Sequence, residues 1–189
     1  MRKTIILSFA VTALLISCKG STGDKTVTSE KQEVAAPTGA SYTVSKDQSD
    51  LKWKGYHKGG LNPRFGTVKT DGTVAVDSGK VTGGSFVIDI KTIAADESSV
   101  DPAASEGKTA ADLSNHLLSA DFFESEVYPT ASFQVTSIAP FDSTTTKSVV
   151  PDANCLLSGN LTIKNKTVNV TFPAKVTVAD STVNIFSNF

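Results

Sequence analysis

Cysteine, histidine and surplus charge are all scarce in this chain. Its 189 residues hold two Cys, at 18 and 155, so no disulfide framework is available. The two His, at 57 and 116, cannot supply a His-rich metal site. Eighteen basic residues stand against 19 acidic ones, a net charge of −1, and so the basic field of a general nucleic-acid binder is missing. No Gly-rich phosphate loop runs into a helix, and no nucleophile elbow accompanies the Ser, His and Asp residues. Helix-forming runs are few, whereas Thr, Ser and Val abound, which biases the chain toward β structure.

What is present begins with an address. Arg2 and Lys3 precede a largely apolar run from Thr4 to Ile16. That run is too short to span a bilayer as a mature helix but suits the core of a signal peptide. Leu15-Ile16-Ser17-Cys18 follows and resembles the lipobox of bacterial lipoproteins, in which cleavage leaves the Cys as a lipidated first residue. The expectation is a signal peptide over residues 1–17, a lipidated Cys18, and a location at the bacterial envelope, lipid-anchored on the periplasmic or outer-membrane face. Residues 19–40 are polar, with Gly20, Gly23, Pro37 and Gly39 scattered through them and no apolar period. Such a segment cannot bury enough surface to offset its ordering entropy, so residues 18–40 are expected to be the lipidated Cys and a disordered tether.

From residue 41 the pattern changes to period two, as in half-buried strands. Tyr42 and Val44 alternate with polar neighbours, as do Leu51 and Trp53. Val68 leads to an expected turn at Asp71-Gly72, then come Val74 and Val76 and a second turn at Asp77-Ser78-Gly79. Phe86, Ile88 and Ile90 share one phase, as do Phe133 and Val135, and Leu157, Gly159, Leu161 and Ile163. After Lys164-Asn165-Lys166 come Val168, Val170 and Phe172, and Val183 and Ile185 close the series. Many short strands with polar turns predict an antiparallel sandwich or barrel. The stretch from Ala94 to Lys108 reads as a long loop, and Ala110, Leu113 and Leu117 recur at helical spacing.

Specific blocks then stand out. Leu113-Ser114-Asn115-His116-Leu117-Leu118-Ser119-Ala120-Asp121-Phe122-Phe123-Glu124 is followed by Tyr128-Pro129-Thr130-Ala131-Ser132-Phe133. With Leu51-Lys52-Trp53, Gly83 to Ile90, Gly159 to Lys164 and Val170-Thr171-Phe172-Pro173, these blocks resemble the YceI-like lipid/polyisoprenoid-binding family, over residues 41–189. The resemblance implies a lipocalin-like antiparallel eight-stranded barrel with one short helix near one end. It implies export, and a long apolar ligand, an isoprenoid chain or a fatty amide, held inside the barrel. Arg64-Phe65-Gly66 stands where members often carry His-x-Gly. The family also continues past Phe189, so the last strand is expected to be incomplete and to leave an exposed edge.

Trp53, Phe65, Phe86, Phe133 and Phe172 either fill the core or line a lipid cavity, since small barrels use interior side chains both ways. Ile88 and Leu161 join that candidate lining, and Gly159, in phase with Leu157 and Leu161, would leave room for a ligand. Arg64, Lys58 and Tyr56 are candidates to orient a polar head. His116 and Asp121 have structural duties at hand, and Cys155 reads as a free thiol once Cys18 is lipidated. The expected protein is non-enzymatic, with no cofactor, no metal and no nucleic-acid partner. Its partners are an isoprenoid or other long-chain lipid, the membrane through Cys18, and, as an open alternative, a second copy in a homodimer. The rival reading is a structural or stress-responsive envelope protein whose barrel is filled by its own side chains.

Overall fold

The computed structural model describes residues 23–57 and 61–189. The expected signal peptide, Cys18 and Lys58 lie outside these residues. Among the described residues nine strands form one antiparallel sheet: β1 (Val27–Ser29), β2 (Ala40–Thr43), β3 (Leu51–His57), β4 (Leu61–Asp77), β5 (Lys80–Ala95), β6 (Thr130–Pro140), β7 (Cys155–Ile163), β8 (Lys166–Val178) and β9 (Val183–Ser187). The order is β1-β8-β7-β6-β5-β4-β2, with β3 beside β2 on the outer edge of β4 and β9 beside β1 on that of β8. Each outer edge is thus shared by two short strands.

Hairpins set this order because the turn chemistry is local. Ser78 and Gly79, at φ 51° and 73°, make the two-residue link between β4 and β5. Lys164 and Asn165, at φ 48° and 61°, do the same between β7 and β8. Positive φ at both central residues matches the twist of the flanking strands. Both turns stand where the sequence places them. Asp71-Gly72 does not turn: β4 runs straight through it, and Gly72 pairs with Phe86. A Cβ on Gly72 would overlap the Ser85 carbonyl oxygen and meet Phe86 Cδ1 at 3.0 Å, so the missing side chain lets β5 and the Phe86 ring lie close. The glycine serves packing, and Asp71 accepts the Gly72 N–H at 2.8 Å and pairs with Lys46 at 2.7 Å.

The helix α1 (Ala110–Leu118) forms where the apolar spacing puts it. Thr109 and Asp112 build a capping box: Thr109 Oγ1 accepts from the Asp112 N–H and Asp112 Oδ2 accepts from the Thr109 N–H at 2.8 Å. These bonds hold the Asp112 carboxyl below its ordinary range. Ser114 Oγ accepts the Ala95 N–H at 2.9 Å and ties α1 to the end of β5. The preceding stretch is not featureless, for 3-10 turns occupy Glu97–Ser99 and Pro102–Ala104.

The expected fold class stands with a difference in closure, and one expectation is corrected. The sheet is all-β, antiparallel and lipocalin-like, but it is not a closed eight-stranded barrel. Among the described residues no ladder joins β2 or β3 to β1 or β9, because these edge strands pair inward with β4 and β8. Tyr42 Oη reaches across the gap and donates to the Asp180 carbonyl at 3.3 Å. The segment read as a disordered tether is ordered over residues 24–39. Val27–Ser29 pairs with Thr171–Asn169. Next, the Gln32 N–H donates to Asn160 Oδ1 at 3.0 Å while Asn160 Nδ2 donates to the Gln32 carbonyl at 2.7 Å. Farther on, Thr38 exchanges hydrogen bonds with Thr82, and Pro37 lies over Gly83. The segment is a strap that crosses from β8 over β7 and β5 to β4. Its order comes from the sheet beneath it, which its own composition cannot reveal.

Candidate functional site

Alternation sorts the sheet into two faces. The strap lies on the face of Asn160, which is 1% exposed although polar. The other face carries the apolar phase. Leu157, Gly159 and Leu161 of β7 stand opposite Phe172, Val170 and Val168 of β8. Leu161 and Gly159 stand opposite Phe133 and Val135 of β6. Phe133 in turn pairs with Phe86 of β5. Val135, Cys155, Leu157, Val170, Phe172 and Ala174 form a buried cluster, with Phe86, Phe133, Ile138, Leu161 and Val176 packed against it.

Within this cluster the phenyl rings line up across the sheet. Phe86 to Phe133 measures 6.3 Å between centroids, Phe133 to Phe172 5.9 Å, and Phe172 to Phe189 3.8 Å with the last pair stacked at 11°. Each such pair contributes about 0.5–1.5 kcal/mol beyond the area it buries. The row therefore forms a stiff apolar surface rather than a set of isolated side chains. Phe189 at its end is 54% exposed, so the row opens to the outside there.

A second cluster lies beneath α1. Val68, Ile93 and Leu117 are buried, and Leu51, Trp53, Ile88, Leu113, Leu118 and Phe123 pack against them. Trp53 pairs with Gly66, and Leu51 with Val68, so β3 and β4 present their apolar phase to the helix. The Trp53 indole Nε1 is buried and has no hydrogen-bond partner among the described residues. Phe86 and Ile88 are two residues apart on β5, about 7 Å at strand rise, and join the two clusters.

The structure thus brings together Phe86, Phe133, Gly159, Leu161 and Phe172, and sets Trp53 and Ile88 in the adjoining cluster. It does not bring Phe65 to them. Phe65 pairs with Lys54, takes the opposite face from Gly66, and is 36% exposed. Nor does Gly159 leave an empty space. A Cβ there would overlap the Phe133 ring, which occupies the room the sequence assigns to a ligand. Arg64 is spent on structure, donating to the Ser99 carbonyl at 2.6 Å and to Ser105 Oγ at 3.0 Å. His116 is half exposed, stacks edge-on against Phe122 at 5.1 Å and lies 4.0 Å from Asp121. Cys155 is a buried free thiol, and burial pushes its pKa up. Among the described residues no group of His, Cys, Asp and Glu is arranged to hold a metal ion.

Sequence reasoning missed the two outer clefts. One, of about 310 Å³, opens beneath the strap between Val34, Pro37 and Gly39 and the β4–β6 residues Thr73, Gly84 and Gln134. The other, of about 470 Å³, lies between Lys25, Val27 and Lys147, over Leu156 and Pro173. Neither was legible, because both depend on where the strap lies.

Two solved structures are similar to this chain. BcnA of Burkholderia cenocepacia is similar at 22% identity and a TM-score of 0.52, over 75% of this chain and 76% of that one. A YCEI protein of Campylobacter jejuni is 13% identical over 93% of this chain and 69% of its own, with a TM-score of 0.36. No curated protein matches. The model of the YceI-like domain matches residues 42–188, and such membership supports binding of a hydrophobic ligand in general. The chain belongs to the YceI-like domain family.

Proposed function

We propose that this protein binds and carries a hydrophobic single-chain molecule, a polyisoprenoid or a fatty amide, along the apolar face of its sheet. It does so without catalysis, at the bacterial envelope, where Cys18 anchors it to a membrane. The observation that carries the reading is the row of four phenyl rings from Phe86 to Phe189, continuous with the Trp53 cluster and open at one end. Each methylene that leaves water on such a surface contributes about 0.8 kcal/mol, so a long chain binds tightly without a charged contact.

A second reading has one observation in its favour. The Phe133 ring fills the space over Gly159, as in a structural envelope protein whose interior is occupied by its own side chains. Native mass spectrometry after mild purification separates the two. A co-purified apolar mass, lost from a Phe172→Ala variant that still folds, supports carriage. A ligand-free protein that also takes up no added long-chain lipid leaves the structural reading.

A further inference from the structure

The Trp53 indole N–H is a buried donor with no partner among the described residues. A buried polar group left unpaired costs about 1–3 kcal/mol, and native proteins keep few of them without a reason. Val68, Ile93, Leu117, Leu51, Ile88 and Phe123 are the hydrocarbon neighbours that pack in this cluster. Arg64, the cation that the sequence suggests for a polar head, is already bonded to Ser99 and Ser105. A phosphate or carboxylate would therefore lose its hydration here and gain a single neutral donor in return. A neutral acceptor loses far less, and a carbonyl oxygen is the strongest such acceptor a long-chain molecule carries.

Geometry gives the rest of the ligand its direction. Ile88 belongs to the cluster of Trp53, and Phe86, two residues earlier on the same face of β5, belongs to the phenyl row. A chain with its head at Trp53 continues along that face onto Phe86 and Phe133. We propose that the ligand carries a neutral carbonyl in its head, an ester or an amide, which accepts the Trp53 N–H beneath α1 while the chain lies on the phenyl row. This rests on the carriage reading above, and it makes Trp53 the residue that selects the head.

Trp53 is the single Trp of the chain, so its indole gives one N–H resonance in a protein labelled with nitrogen-15. The probes are methyl palmitate and octadecane, matched in chain length, delivered from cyclodextrin to the purified protein. The expected result is a downfield shift of the indole proton with the ester and none with the hydrocarbon. Trp53→Phe should weaken methyl palmitate about two- to tenfold, the range of one hydrogen bond, and leave octadecane within about twofold. Equal indole shifts with both probes overturn the head assignment while carriage stands, as does an equal loss of both in Trp53→Phe. If neither probe binds the wild-type protein, carriage itself is overturned. Should Trp53→Phe fail to fold, the wild-type resonance alone decides.

Discussion

Gly159→Ala tests the packing of the apolar face at its tightest point. The added methyl would overlap Cζ of Phe133, touch Cε2 of the same ring at 2.5 Å and approach the Gln134 carbonyl oxygen at 2.8 Å. The backbone at 159 is not left-handed, so alanine is allowed there and the cost is contact alone. The ring has little room to retreat, because it stands between Phe86 at 6.3 Å and Phe172 at 5.9 Å. The carbonyl belongs to the β6–β7 ladder, where Val135 pairs with Gly159. Overpacking of this kind costs about 1–3 kcal/mol, and for a domain of this size about 2 kcal/mol lowers the melting temperature by roughly 4–8 °C. Shortening the ring should relieve most of it. In a Phe133→Leu background, Gly159→Ala should cost less than half as much, because only the carbonyl contact remains and the stiffer unfolded chain favours alanine. Thermal melts of the two single variants and the double give the coupling directly. A Gly159→Ala protein that melts with the wild type, or a double variant with strictly additive losses, would show that Phe133 does not rest on Gly159.

Asn160→Ala should free the strap: with both bonds to Gln32 gone, hydrogen exchange at residues 30–38 should rise by an order of magnitude or more, at about 1–3 kcal/mol of stability, while amides of β6 and β7 stay protected. Cys155 should react with iodoacetamide at pH 8 at least tenfold more slowly than a free thiol, since it is buried and its pKa is raised, and denaturant should remove the difference; prompt labelling of the folded protein would contradict its burial. Cys18→Ser should move the protein from the membrane fraction to the soluble one, and retention of the variant on the membrane would refute the anchor.

How much of this was legible depends on the range of the interaction involved. The hairpins at Ser78-Gly79 and Lys164-Asn165 and the helix from Ala110 are set by residues within a few positions, and the sequence shows them. The faces of β5, β6, β7 and β8 follow from period two, so Phe86, Phe133, Leu161 and Phe172 were placed together correctly. Phe65 went to the wrong face because its phase is fixed by Gly66 pairing with Trp53, a register between strands. The space over Gly159 looked empty because the ring that fills it sits on another strand. The strap was invisible for the same reason, since Asn160, 128 residues away, supplies its hydrogen bonds.

That clamp has its own consequence for how the segment can vary. Asn160 grips Gln32 by the backbone alone, one N–H and one carbonyl, much as a neighbouring strand would. Asn154 holds Val176 in the same manner, at 2.9 and 2.7 Å. Such a grip is indifferent to the side chain at 32, and only proline, lacking the N–H, is shut out. Position 32 lies outside the matched residues 42–188, and its side chain can drift with the path of the strap intact. Part of the constraint that keeps it in place is carried on β7, by a residue that no reading of the strap's own letters would single out.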